Sequence, residues 1–290
     1  APRPSGRAPA LFKDFKVLNV LKVHALIRFF FANFGAKNYL RLMRRFFLAL
    51  FSTLLLTAMA STPLVSTGRA ARFIDVDVHA LVGGTLVTQN FASCFPSISE
   101  LSVNMGPSYG IGFGASLNFN DFIGLGCEVN ALLNYYKMTL AVADNEATSI
   151  TNTFIRNHFF TANFPVFIRL KFNLGGNVRW IIDGGAYYTY GLGGRQKTTM
   201  YSAHVNELGQ LITVTTSSRS PYYNSPDAFI CSSYRGDIGL HLATSLLVSR
   251  RFSIGVRTQI GFKNQAHLFN GVKTPNVHNI GFQVTGGYHF

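Results

Sequence analysis

The chemistry that the sequence suggests first is acid–base chemistry around one histidine. Asp75, Asp77 and His79 occupy alternate positions, so an extended backbone places their side chains on one face. An imidazole beside carboxylates can act as a general acid or base, but hydrolysis also requires a nucleophile within reach. We interpret the group as a polar cluster and predict no catalytic residues, cofactor or metal site. A lipid-modifying enzyme is the alternative, and it requires these side chains to meet a Ser or Tyr in one exposed pocket.

Charged residues form a second group, because they recur at alternate positions opposite apolar residues. A charge that is taken out of water needs a partner, since its desolvation is costly. We predict that Glu128, Asp183 and Asp237 pair with Arg169, Arg179 or Arg257. A proton or ion path along the same residues is the alternative. The predicted inward-facing set is Glu128, Arg169, Lys171, Arg179, Asp183, Asp237, Arg257 and Lys263.

The elements that must position these side chains are strands. From residue 73 onward apolar residues recur with a period of two, in segments longer than the usual five or six residues, which favours a bilayer environment. Only 13% of the residues are charged, against about 25% in soluble domains, which excludes a disordered chain. The eight predicted strands are Phe73–Val87, Ser108–Asn120, Ile123–Tyr136, Phe164–Phe172, Val178–Leu192, Asp237–Val248, Phe252–Lys263 and Asn279–Phe290.

The connections between these strands indicate the architecture, because short and long connections alternate. The sequence predicts an all-β fold, a single eight-stranded antiparallel transmembrane β-barrel over residues 73–290, with both termini in the periplasm. Such a barrel is only wide enough for side chains to fill it, which favours a packed lumen over an ion path. A soluble lipocalin-like barrel is the runner-up. The short connections are 120–122, 173–177 and 249–251, and the long ones are 90–107, 138–158, 193–234 and 264–277.

The long connections carry the remaining candidate residues. Cys94 and Cys231 lie in two of them, on the predicted extracellular and oxidising side, so a disulfide between them is one prediction and two free thiols the other. Cys127 alternates with apolar residues and is predicted to face lipid. The connection 193–234 contains a β-prone stretch, 210–216, that we expect to extend a hairpin above the membrane. Its basic residues Arg195, Lys197 and Arg219 would suit anionic sugars.

The segment before the barrel resembles processed sequence. Two arginines, an apolar run and an A-x-A site predict a signal peptide over residues 43–60, with cleavage near Ala60 or, alternatively, Ala70 or Ala71. We interpret residues 1–42 as an upstream extension that is not native, or alternatively as a membrane-surface segment, and residues 61–72 as a periplasmic linker. Residues 1–60 hold 10 of the 26 Lys+Arg but one of the 12 Asp+Glu, so the net charge of +14 is weak evidence for a nucleic-acid partner.

Several short motifs resemble those of the PorT-like outer-membrane β-barrel family of Gram-negative bacteria. The stretch Asn163–Phe172 is similar to that family's IPLLLKY strand, Ile182–Tyr188 to its LAGPY strand, and Phe252–Arg257 to its LSLGLRY strand. The stretches Arg235–Leu240 and Leu246–Arg251 resemble its DFGLVLG strand. The final strand, with Tyr288 and Phe290, resembles the C-terminal signal that the barrel-assembly machinery reads.

The resemblance and the pattern together imply a class of function. We expect a non-enzymatic integral protein of the outer membrane at the cell surface, structural or assisting secretion or assembly. The expected partners are membrane lipid and lipopolysaccharide, the barrel-assembly machinery and possible secretion components, with no nucleic acid. A ligand binder or adhesin that acts through its loops is the alternative.

Overall fold

A computed structural model describes residues 63–94, 98–143, 149–205, 210–228, 230–267 and 274–290. The predicted extension 1–42 and signal peptide 43–60 lie outside these described residues. Within them, no helix is long and apolar enough to cross a membrane. The helix α1 (Phe91–Cys94) is a single turn, and the other elements are strands.

Eight strands form a closed antiparallel ring. In order around the ring they are β1, β2, β3, β4, β5, β8, β9 and β11, and closure occurs where β1 pairs with β11 from Asp77↔His289 to Gln89↔Val277. The predicted eight-stranded barrel is therefore confirmed. Its strands are β1 (Ile74–Gln89), β2 (Ile98–Asn118), β3 (Ile123–Ala143), β4 (Ser149–Gly175), β5 (Val178–Val205), β8 (Gly236–Val248), β9 (Phe252–Gly261) and β11 (Val277–His289).

The barrel has two unlike ends. At the turn end, β2 and β3, β4 and β5, and β8 and β9 are joined by two to four residues, and the chain enters β1 and leaves β11 there. At the loop end, the connections carry α1 and three further strands. These are β6 (Leu211–Pro221), which pairs with β5, and β7 (Ser232–Ser233), which pairs with β10 (Ala266–His267).

The loop end differs from the sequence prediction, because much of three predicted loops is strand. β2 begins at Ile98, β3 continues to Ala143, β4 begins at Ser149 and β5 continues to Val205. The predicted hairpin extension at 210–216 is confirmed as β6, which pairs with β5 from Arg195↔Pro221 to Val205↔Leu211. The result is an open sheet of β2, β3, β4, β5 and β6 that projects beyond the ring, and we call it the projecting sheet.

The inner and outer faces of the strands exchange polarity along their length. On β3 the outward side chains are apolar up to Leu133 and are followed by Lys137 and Thr139, whereas the inward ones are apolar from Tyr136 onward. On β4 the outward Phe160, Phe164 and Ile168 similarly give way to the outward His158 and Arg156. Side chains that face lipid are apolar, and side chains that face water are mostly polar. The exchange therefore marks the level at which the strands leave the membrane.

The main hydrophobic cluster lies at the loop end, above the polar lumen. Leu140 and Ile155 on the inner face of the projecting sheet pack with Phe91 of α1 and with Tyr222. The rings of Phe159 and Tyr222 stack with centroids 4.5 Å apart. This core therefore joins the projecting sheet to the connections and to the loop ends of β1 and β11. The buried members of this cap are Val87, Phe91, Tyr136, Met138, Leu140, Ile155, Phe159, Tyr222, Tyr223, Ala266 and Val277.

Candidate functional site

The lumen contains two buried ion pairs. Arg169 and Asp183 face each other in the β4–β5 register, and Nε and Nη2 of Arg169 donate to the two carboxylate oxygens at 2.9 Å each. Arg257 on β9 reaches across the lumen and donates from Nη1 to Glu128 Oε2 at 2.8 Å, while its Nε donates to Gln283. The structure thus brings together four of the predicted charges. Their pairing offsets part of the desolvation cost of placing charge inside the barrel.

His79 joins the second of these pairs. Its Nδ1 lies 2.6 Å from Asp77 Oδ2 and its Nε2 lies 2.7 Å from Asn130 Oδ1, while the amide of Asn130 donates to Glu128. Asp75 lies apart from this group and bonds with His289 instead, at 3.2 Å. The three residues that the sequence groups therefore divide between two clusters, although all three point inward and are buried.

The turn end of the lumen holds two more of the predicted charges. Lys171 donates from Nζ to Asn118 Oδ1 at 2.7 Å. Arg179 pairs with Asp121 in the β2–β3 connection, at 2.8 Å, so it does not pair with Glu128, Asp183 or Asp237 as predicted. The reason is its position one residue inside β5, where it reaches the rim of the barrel more readily than the lumen centre.

Asp237 and Lys263 also differ from the prediction. Asp237 is buried near the loop end, and its Oδ2 accepts from the Tyr187 hydroxyl at 3.3 Å; among the described ion pairs none includes it. The nearby Arg235 donates to the carbonyls of Gly191 and Leu192. Lys263 lies beyond the end of β9, exposed, with its Nζ 5.2 Å from the ring centroid of Tyr234.

The free space inside the barrel is small and divided. One cavity of about 50 Å³ lies toward the loop end beside Tyr187 and Asp237, and another of about 40 Å³ lies beside His79 and Arg169. Each volume suits a few water molecules. Between the two levels, the buried side chains of His241, Gln259 and Asn163 are joined by hydrogen bonds across the interior. These side chains fill the lumen between the two cavities.

Two serines, Ser245 and Ser253, line the cavity beside His79, and a third lies in a hydrolase-like motif. Gly106–Gly110 matches the G-x-S-x-G pattern of serine hydrolases, in which the serine occupies a sharp turn between a strand and a helix. Here Ser108 lies within β2, is fully buried and donates to Asn134 Oδ1 at 2.7 Å. Among the described residues no Ser or Tyr hydrogen-bonds to His79, and Asp75 does not line the cavity that Asp77 and His79 share.

The cysteines and the C-terminal aromatic residues complete the predicted set. Cys94, Cys127 and Cys231 are free thiols, so the predicted disulfide between Cys94 and Cys231 is not formed. Cys231 packs against the hydrophobic cap, and burial raises the pKa of its thiol to about 12. Cys127 is exposed on the outer face. Tyr288 and Phe290 lie at the turn end with ring centroids 5.3 Å apart, and Phe290 is 62% exposed.

The closed ring, its apolar outer face and its polar interior define an eight-stranded transmembrane β-barrel. Among solved structures, the chain is similar to Ail, the attachment invasion locus protein of Yersinia pestis, in complex with the heparin analogue sucrose octasulfate (10% identity, TM-score 0.32, 76% of this chain and 100% of that one). It is similar to Neisserial surface protein A (11%, 0.28, 76% and 98%) and to the outer membrane protease OmpT of Escherichia coli (12%, 0.37, 75% and 96%). No protein-family model matches the chain, and no curated protein matches its sequence.

Proposed function

We propose that this protein is a non-enzymatic integral protein of the outer membrane that holds an ordered binding surface outside the cell. The observation that carries the proposal is the exchange of polarity along β3 and β4. On the turn-end side of this exchange, large apolar side chains such as Ile111 and Phe113 of the neighbouring β2 are 70% and 53% exposed, as a lipid-facing surface requires. Above it, the same strands continue as the projecting sheet, whose outer face is mixed: basic side chains such as Arg156 lie beside the exposed rings of Phe154 and Tyr201.

The interior supports an anchoring role over a transport role. Two ion pairs and a network of polar side chains fill the lumen, and the aromatic cap of Phe159, Tyr222 and Tyr223 packs over its loop end. A diffusion channel would need a continuous aqueous bore, which barrels of this size do not leave. Purified protein in planar bilayers should therefore give no single-channel conductance. Conductance steps that are seen with the protein and are absent from protein-free bilayers would contradict this part of the proposal.

The projecting sheet is the part of the molecule that a partner can reach. β6 pairs with β5 on one side, and its residues from Leu211 to Arg219 are exposed on both faces. Such ordered segments on a rigid scaffold are where binding residues concentrate. We therefore favour surface binding as the role of this sheet. A role in secretion or assembly is the more specific prediction that the family resemblance implies.

Cysteine labelling on intact cells tests the orientation of this surface. In a background with the three native cysteines changed to Ser, Thr213→Cys on β6 should react with a membrane-impermeant maleimide. Arg250→Cys at the turn end is the matched control and should react only after lysis. Labelling of Arg250→Cys on intact cells without labelling of Thr213→Cys would overturn the proposed orientation.

A further inference from the structure

Four basic residues form a row across the outer face of the projecting sheet. Lys137 of β3 lies opposite Arg156 of β4, Arg156 lies opposite Lys197 of β5, and Lys197 lies opposite Arg219 of β6. Neighbouring strands are about 4.8 Å apart, so the row spans roughly 15 Å. Lys137, Arg156 and Arg219 are exposed and Lys197 is partly exposed. We call these four residues the basic row.

The basic row lies at a definite height relative to the apolar surface. Leu133 and Phe160 are an apolar pair on the outer face, and Lys137 and Arg156 follow four residues farther along each strand, with the exposed Phe154 beyond them. At about 3.3 Å per residue and a strand tilt near 40°, the row lies roughly 10 Å beyond that apolar pair. The polar layer of a bilayer begins at the edge of its hydrocarbon core and is about 5 to 8 Å thick. The Cα atoms of the row therefore lie a few ångströms beyond this polar layer, and the long Lys and Arg side chains can reach back to its outer edge.

Nothing among the described residues neutralises the row. None of its members takes part in a described salt bridge. Glu100 is the described acidic residue on the same face of the sheet, and it lies four residues farther from the membrane than Asn104, the β2 neighbour of Lys137. Like charges directly opposite each other on neighbouring strands destabilise a sheet. Four of them in one row indicate that an anion binds between them.

We propose that the basic row binds the phosphate groups of the outer-leaflet glycolipid that surrounds the barrel. Phosphate suits this surface because Arg can donate two parallel hydrogen bonds to it and Lys can add a point charge. The nearness of the row to the apolar outer face leads us to choose membrane phosphates over a soluble polyanion. Below it, the outward Tyr135, His158 and Arg195 form a second register row that can contact the sugar and the acyl boundary. The inference rests on the proposed membrane orientation and names the partner of the projecting sheet.

The test measures the thermal unfolding of the refolded, full-length protein in neutral detergent micelles, with and without bisphosphorylated lipid A. The test variant carries Lys137→Gln, Arg156→Gln, Lys197→Gln and Arg219→Gln. The matched control removes four exposed cations at the turn end, by Arg69→Gln, Arg72→Gln, Arg250→Gln and Arg251→Gln. A ligand that binds the folded state raises the unfolding temperature in proportion to its affinity.

Lipid A should raise the unfolding temperature of the wild type and of the control, and its affinity for the test variant should be at least about tenfold weaker. Without lipid A, the test variant should unfold at the same or a higher temperature than the wild type, because repulsion within the row is removed. Dephosphorylated lipid A should stabilise the wild type and the test variant equally.

Three results would overturn the proposal. Equal affinity of the wild type and the test variant for lipid A is the first, and equal affinity of the wild type for the phosphorylated and dephosphorylated forms is the second. The third is that a soluble heparin fragment binds the wild type more tightly than lipid A does and does not bind the test variant. The row would then recognise an extracellular polyanion. None of these results affects the labelling of Thr213→Cys, so failure of this inference is distinguishable from failure of the proposed orientation.

Discussion

At the scale of single residues, the lumen depends on charges whose partners come from other strands. Alternation along the sequence is sufficient to predict that Arg169, Asp183, Glu128 and Arg257 point inward. It does not predict which carboxylate meets which cation, because that depends on strand register and on reach across the lumen. Arg179 illustrates this limit. The alternating pattern points its side chain inward, but Arg179 is the second residue of β5 and therefore lies beside Asp121 at the rim of the barrel.

Removal of one member of a buried pair should be costly. Arg169→Met leaves Asp183 buried without its cation and should lower the free energy of unfolding by about 3 to 5 kcal/mol, whereas Arg169→Met with Asp183→Leu should recover much of that loss. The matched control is Arg179→Met, whose pair with Asp121 lies at the more exposed rim and should cost about 1 kcal/mol or less. Urea unfolding in lipid vesicles measures all three. Equal losses for Arg169→Met and Arg179→Met would contradict the described packing.

The raised pKa of Cys231 gives a second prediction at this scale. The thiolate is the reactive form, and with a pKa of about 12 the thiol stays neutral until the pH approaches that value. With Cys94 and Cys127 changed to Ser, Cys231 in the folded protein should react with a maleimide at pH 8 on the order of a thousandfold more slowly than in the unfolded chain. Its rate should rise as the pH is raised. Thr213→Cys is the exposed control. If Cys231 in the folded protein is labelled as fast as this control, its thiol is not buried.

At the scale of elements, the period-two pattern was predictable and the strand ends at the loop end were not. The membrane-spanning part of β2 alternates large apolar with Gly, Ser and Asn, which is a strong signal. Above the membrane the faces of β3 and β4 exchange polarity, so Lys137, Arg156 and His158 interrupt the apolar series and suggest loops. The cap adds to the difficulty, since Phe91, Tyr222 and Ala266 come from three separate connections.

Glycines on the inner face of β2 leave room for the lumen network. A Cβ at Gly112 would overlap Asn130 Oδ1 and the ring of His79, whereas a Cβ at Gly286 on β11 would meet nothing within 4 Å. Gly112→Ala should therefore lower the free energy of unfolding by about 1 to 3 kcal/mol, and Gly286→Ala should change it by less than about 0.5 kcal/mol. The same urea titration compares them. A neutral Gly112→Ala would mean that the His79 and Asn130 side chains are not packed there.

The β8–β9 turn contains backbone strain that substitution can relieve. Ser249 and Arg250 have φ of 53° and 58°, left-handed values that Gly adopts much more readily than other residues do. Arg250→Gly should raise the free energy of unfolding by about 1 kcal/mol. Gly176→Ala in the β4–β5 turn, where φ is 58° and nothing lies within 4 Å, should lower it by a similar amount. Changes of the same sign in both turns would contradict this reading.

At the scale of the whole molecule, the barrel is a filled anchor with an ordered surface above it. The apolar outer face and the closed ring account for its place in a membrane, and the ion pairs and the aromatic cap are the reason that we expect no conduction through the lumen. The eight-stranded barrel follows from the sequence because alternation and connection length both depend on local residues. The cap and the basic row do not, because each is assembled from residues that only strand register brings together.

The most direct test is membrane fractionation of the protein expressed from Met43, with boiled and unboiled samples compared on a denaturing gel. A closed transmembrane barrel resists detergent until it is heated, so the account predicts a band in the outer-membrane fraction that migrates differently before and after boiling. A soluble periplasmic protein whose migration does not change on heating would contradict it.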